Sequence, residues 1–195
     1  KTGLGGARGQ SPLLVYASAE THTWIQKATD LFGLGTDAIG WIGVDGHQRM
    51  KTAELRRQID LDRKNGGCPF IVVGTGGSVS TGAVDPLPEI QSICRVHDLW
   101  FHLDGAYGAL AARIPGVPAN LRALSEADSV AVDPHKWLYA PLEAGCVLVR
   151  DALHLRNAFS YYPPYYVFKD NVLNFVQYGL QNSRGFRALK VWLAL

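Results

Sequence analysis

Two short segments of this 195-residue chain carry groups able to do chemistry together. Phe101-His102-Leu103-Asp104-Gly105-Ala106-Tyr107-Gly108 is an apolar run that ends in an aspartate. Asp133-Pro134-His135-Lys136-Trp137 follows a second apolar run, residues 129–132, and carries a lysine. Asp104 and Lys136 lie 32 residues apart, about the length of one strand–helix–strand unit. A carboxylate and an amine at the ends of neighbouring strands are the pair that pyridoxal phosphate (PLP) needs. The amine holds its aldehyde covalently, and the acid keeps the ring nitrogen protonated.

Two further polar groups follow strand-like runs: His22 after residues 13–16, and Thr75 after residues 70–74. In an open parallel sheet, ligands bind beyond the carboxyl ends of the strands. If these strands are parallel, His22, Thr75, Asp104 and Lys136 converge on one rim. Each has a plainer reading alone. Lys136 is then a solvated surface lysine, Asp104 a helix cap or salt-bridge partner, His22 a residue at a helix start, and Thr75 part of a polar turn with Gly76, Gly77 and Ser78. The convergence favours the functional reading. For Lys136, flanked by His135 and Trp137, it predicts partial desolvation, which would make the amine nucleophilic. The small residues Gly105, Ala106 and Gly108 would let a flat ligand approach Asp104. Gly3-Leu4-Gly5-Gly6 resembles a phosphate loop only superficially, because it precedes a strand instead of joining strand to helix.

The elements that must position these groups alternate. Short apolar strands are predicted at 13–16, 39–44, 70–74, 99–103, 129–132 and 146–149. Helices are predicted at 23–32, 52–64, 88–97, 121–127 and 151–159, with Thr52 as an N-cap and prolines opening the third. This pattern predicts an α/β fold with a largely parallel sheet and flanking helices. Residues 160–181 break it: they are aromatic and proline-containing (Tyr161-Tyr162-Pro163-Pro164-Tyr165-Tyr166), without a clean period, and read as a functional loop. The chain starts at Lys1 in a glycine-rich stretch and ends inside an apolar helical pattern, so residues 1–195 read as a piece of a longer protein.

Composition narrows the class. Apolar residues make up 47% and charged residues 18%, as in globular domains. A net charge of +2 offers nothing to nucleic acid or an anionic membrane. No stretch approaches the roughly 18 apolar residues of a membrane helix, and no signal peptide is visible. Cys68, Cys94 and Cys146 are odd in number and widely spaced. They read as free buried thiols in a reducing, cytoplasmic compartment, and not as a disulfide framework or zinc site.

These motifs resemble the group II PLP decarboxylases, the family of aromatic L-amino-acid decarboxylase, with PLP fold type I. The matching pieces are Ala19-Glu20-Thr21-His22, Val73-Gly74-Thr75-Gly76-Gly77, His102-Leu103-Asp104-Gly105-Ala106-Tyr107, Asp133-Pro134-His135-Lys136-Trp137-Leu138 and Arg184-Gly185-Phe186-Arg187-Ala188-Leu189-Lys190-Val191-Trp192. They come in family order and span nearly the whole chain. The resemblance implies that Lys136 is the Schiff-base lysine and that Asp104 pairs with the ring nitrogen. It implies that His22 stacks on one ring face and Ala106 packs on the other, with Thr75 and His135 close by. It also implies a mobile loop whose tyrosine returns a proton to the substrate. Tyr165 stands where that tyrosine is expected, beside Tyr161, Tyr162 and Tyr166. Family members are homodimers with sites at the subunit interface.

Three departures bear on the expectation. The family's phosphate-binding segment would lie upstream of Lys1, and its small C-terminal domain beyond Leu195, so residues 1–195 are expected to be a partial large domain, inactive alone. Asp133 stands where some members have asparagine, and an acid there should repel phosphate unless it points away.

The expected reaction is decarboxylation of an L-amino acid, an aromatic one, to the amine and carbon dioxide. An aldehyde synthase on the same fold is one alternative, disfavoured by the presence of Tyr165 and His22. A catalytically inert fragment or interaction module is the other.

Overall fold

The computed structural model describes residues 11–167 and 172–195. The glycine-rich stretch at 2–9, with Gly3 to Gly6, lies outside the described residues.

Six strands form one sheet: β1 Leu13–Ser18, β2 Ile39–Ile42, β3 Cys68–Thr75, β4 Trp100–Asp104, β5 Ser129–Val132 and β6 Cys146–Val149. Their spatial order is β2-β1-β3-β4-β5-β6. The first five run parallel, and β6 returns antiparallel along β5. The expected α/β fold with a largely parallel sheet is therefore present. The helices are α1 Trp24–Leu31, α2 Thr52–Lys64, α3 Leu87–His97, α4 Pro134–Trp137, α5 Ala152–Phe159 and α6 Arg187–Ala194.

Period-two alternation splits the strands between two cores. Tyr16, Val72, Phe101 and Leu103 face Leu55 and Ile59 of α2 and Ile90 and Ile93 of α3. Val15, Ala17 and Val73 face Ile25 of α1 on the other side. Both faces are covered, which is why the strands are apolar throughout. Each fully buried large side chain contributes about 1.5–3 kcal/mol. On α2 the buried pair Leu55 and Ile59 sits four residues apart, one helical turn on one face.

Three local expectations are corrected. Thr52 is the first residue of α2, not its cap; Lys51 occupies the cap position and makes no side-chain cap bond. The helix expected at 121–127 is a 3-10 helix, Ala119–Glu126. There Leu121 and Leu124, three residues apart, pack on the same core, which suits three residues per turn. Of the cysteines only Cys94 is buried. Cys68 opens β3 opposite Leu13, at the end of the sheet where β1 begins, and Cys146 lies on the edge strand; both are exposed. The α5 helix starts as expected, with Asp151 Oδ1 accepting the Leu153 N–H at 2.9 Å. Among the described residues no helix is long and apolar enough to cross a membrane.

Candidate active site

Because β1 connects to β2 on one side and the chain then returns to β3 on the other, the order reverses between β1 and β3. A crevice opens beyond the carboxyl ends of strands at such a reversal. Thr75 and Asp104 end β3 and β4 as direct register partners. Lys136 follows β5, the next strand over, on the one-turn helix α4. His22 lies in the turn after β1. The parallel sheet thus carries all four on one rim, as its strand pattern predicted.

Asp104 is only 8% exposed. Its Oδ2 accepts the Trp24 indole N–H at 2.7 Å, and its Oδ1 accepts the Ala106 backbone N–H at 3.2 Å. A carboxylate has about four lone-pair sites, so each oxygen can take another donor. Ala106 itself is half-buried beside it.

Thr75 is 5% exposed, and its Oγ1 is buried without a hydrogen-bond partner among the described residues. An unpaired buried hydroxyl is destabilising by about 1–3 kcal/mol, and a native fold tolerates one where a ligand or water supplies the partner. The Thr75 backbone is fixed by Asp85, which is 2% exposed and accepts the N–H groups of Thr75 at 2.8 Å and Met50 at 2.7 Å. Burial pushes the Asp85 carboxyl up, and these two donors oppose the shift.

Two glycines let the rim close. Gly108 donates its N–H to the Gly76 carbonyl at 3.0 Å, and a Cβ on Gly108 would stand 2.1 Å from that oxygen. Gly77 has φ +102°, a conformation that favours glycine. Tyr107 meets Trp137 edge to face at 5.5 Å, joining the loop after Asp104 to the helix of Lys136.

Lys136 carries a partner the sequence did not disclose. Its side chain is 39% exposed, and Nζ lies 3.0 Å from Asp133 Oδ2, so the amine is partly covered and ion-paired. Asp133 turns its carboxylate toward this ammonium and toward His135, whose Nε2 lies 3.7 Å away. Its negative charge is thereby engaged by the ammonium of Lys136. His135 Nδ1 lies 2.8 Å from the Ala144 carbonyl oxygen and 3.2 Å from the Ala144 backbone nitrogen, so the backbone of that residue holds the ring.

His22 is exposed, and its Nδ1 accepts the Trp24 backbone N–H at 3.2 Å. Tyr165 stands apart. It is 78% exposed, packs edge to face on Tyr166 at 5.0 Å, and lines a groove of about 500 Å³ with Phe159, Tyr161, Tyr162 and Gln177. No rim residue lines that groove.

The sequence reading missed Trp24 and Asp85. Asp85-Pro86 directly before a helix was a visible signal for a capping or tying acid. Trp24, two residues past His22 at a helix start, had no signal beyond its donor-only indole.

A buried strand-end carboxylate, a neighbouring primary amine, an unpartnered hydroxyl and a small residue beside the acid form a set that fits a flat, cationic, aldehyde-bearing heteroaromatic ring. The comparisons agree. The model of the pyridoxal-dependent decarboxylase conserved domain matches residues 8–195. The chain belongs to the pyridoxal-dependent decarboxylase family. An aromatic-L-amino-acid decarboxylase of Bacillus atrophaeus is 41% identical over 187 residues, covering 93% of this chain and 38% of that protein. The human acidic amino acid decarboxylase GADL1 is 35% identical over 193 residues, covering 96% of this chain and 37% of that protein. The crystal structure of Oryza sativa TDC with PLP and tryptamine matches with a TM-score of 0.89 at 30% identity, covering 97% of this chain and 40% of that one. The chain thus spans less than two fifths of the length of these relatives.

Proposed function

We propose that this chain carries the PLP-binding rim of an enzyme that decarboxylates an L-amino acid, an aromatic one, to its amine. The observation that carries the reading is the succession of Thr75, Asp104 and Lys136 at the carboxyl ends of three adjacent strands. When bound, PLP supplies an electron sink for the pair left at the substrate α-carbon as carbon dioxide departs.

In this reading Lys136 supplies the amine that holds the aldehyde. Asp104 holds a proton on the ring nitrogen, and without that charge the sink weakens. His22 covers one ring face, Ala106 allows close approach on the other, and Thr75 and His135 offer a hydroxyl and an imidazole nearby. Tyr165 returns a proton to the α-carbon once its loop moves toward the rim. The higher identity to the aromatic-L-amino-acid decarboxylase than to the acidic one supports an aromatic substrate. A homodimer in the cytoplasm belongs to the same reading.

Borohydride reduction in the presence of PLP, followed by peptide mass mapping, tests it. The pyridoxyl group is expected on Lys136, and a label on Lys190 or Lys169 instead would overturn the assignment. Amine and carbon dioxide release from a panel of aromatic and acidic L-amino acids then decides the substrate class.

A further inference from the structure

We infer that Trp24 is a positioning residue for Asp104: its indole N–H fixes the strand-end carboxylate in the orientation that a ring nitrogen requires. The inference rests on the reading of Asp104 given above and goes beyond it.

An indole is a donor only, so in the 2.7 Å bond Asp104 Oδ2 is the acceptor. Ala106 N–H engages the other oxygen. Two fixed donors define the carboxylate plane and leave a lone pair on each oxygen for a ligand N–H.

The indole is itself held. It meets His102 edge to face at 5.7 Å with the planes 76° apart. His102 Nδ1 lies 2.7 Å from Ser129 Oγ, which in turn accepts the Trp100 indole N–H at 2.8 Å. Assigning the Ser129 hydroxyl proton to His102 Nδ1 leaves the imidazole proton on Nε2. Burial lowers the His102 pKa, so the ring packs against Trp24 in its neutral form. Residues of β4 and β5 therefore buttress a side chain that α1 presents to the end of β4.

The alternative is that Trp24 merely ties α1 to the sheet. Two ligands separate the cases: PLP, and its analogue with carbon in place of the ring nitrogen. Affinity of the full chain for each is measured by absorbance titration in the parent, Trp24→Phe and Asp104→Asn. Trp24→Phe is expected to weaken PLP binding about tenfold, the usual size for losing a hydrogen bond to a charged group. Its affinity for the carbon analogue should change less than about twofold, within the variation of a surface-type substitution. Equal losses for both ligands, or no loss for either, would overturn the positioning role. Asp104→Asn guards the premise. If that variant discriminates between the ligands and Trp24→Phe does not, the reading of Asp104 stands and the inference about Trp24 falls. If Asp104→Asn fails to discriminate, both fall. Should Trp24→Phe not fold, benzothienylalanine at position 24 replaces the N–H by sulfur at nearly unchanged shape, and its titration is read the same way.

Discussion

Asp85 and Thr75 are tied to each other twice: Thr75 N–H donates to the Asp85 carboxylate at 2.8 Å, and Asp85 N–H donates to the Thr75 carbonyl at 3.0 Å. The end of β3 is thus locked to the loop that precedes α3, and the same carboxylate reaches Met50.

Asp85→Ala removes the acceptor for two buried N–H groups and should lower unfolding stability by about 3 kcal/mol in urea denaturation, following the cost of unsatisfied buried donors. The pH dependence has a definite sign. Burial raises the folded-state pKa of Asp85, so between its unfolded value near 4 and the raised value the folded state binds more protons. The contribution of this group to stability therefore falls as pH rises through that window and is recovered on acidification. Asp85→Asn should flatten that part of the profile, and an unchanged slope would show that another group produces it.

Gly108→Ala places a methyl group 2.1 Å from the Gly76 carbonyl oxygen. Backbone must move on both sides of the rim, so a destabilisation of about 1–3 kcal/mol is expected from overpacking. PLP affinity should fall with it, because the loops after β3 and β4 meet at that point. Gly116→Ala, which meets nothing within 4 Å but has φ +88°, is the control for backbone strain alone. A Gly108 variant no worse than the control would sink the steric argument.

Cys94 is buried, and its thiol is pushed up to about 12 by desolvation. It should resist a thiol reagent at pH 8 until the chain unfolds, since the thiolate is the reactive form. Cys68 is exposed and should label first. Cys146 is exposed as a residue, yet partial desolvation raises its thiol pKa, so it should label more slowly than Cys68. Mass spectrometry of the partly labelled protein reads the order.

Tyr165→Phe removes a hydroxyl from an exposed side chain and should leave stability and PLP affinity unchanged. Amine formation should fall by about 10²–10⁴, the usual contribution of a positioned proton donor. Aldehyde, ammonia and peroxide should appear in its place, with oxygen consumed. Amine produced at the parent rate would direct attention to Tyr161, Tyr162 or Tyr166.

The inner strands were legible because burial on both faces wrote continuous apolar runs into the chain, and the range of β5 coincides with its pattern; the range of β6 coincides too, although this edge strand is largely exposed. The rim was legible because polar groups that end such runs share one edge when the strands are parallel. What the sequence could not disclose were relationships made across space. The ion pair of Lys136 depends on where Asp133 points, and the indole bond of Asp104 depends on how α1 docks. The 3-10 geometry of Ala119–Glu126 depends on the shape of the core under Leu121 and Leu124. Periodicity reports none of these, because each is a choice among rotamers or backbone twists that the pattern allows equally.

The hydrogen bond between Trp24 and Asp104 joins positions 80 residues apart. Trp24 opens α1, the helix after β1, and Asp104 ends β4; β3 lies between β1 and β4. The contact can form only after three strands have docked in order, so the carboxylate acquires its partner late in assembly, when the loop-closure entropy has been met. A molecule that grips this rim therefore recognises the finished sheet and none of its parts. By mass action it draws the population toward that state, and the cofactor concentration during synthesis becomes a determinant of how much folded chain accumulates.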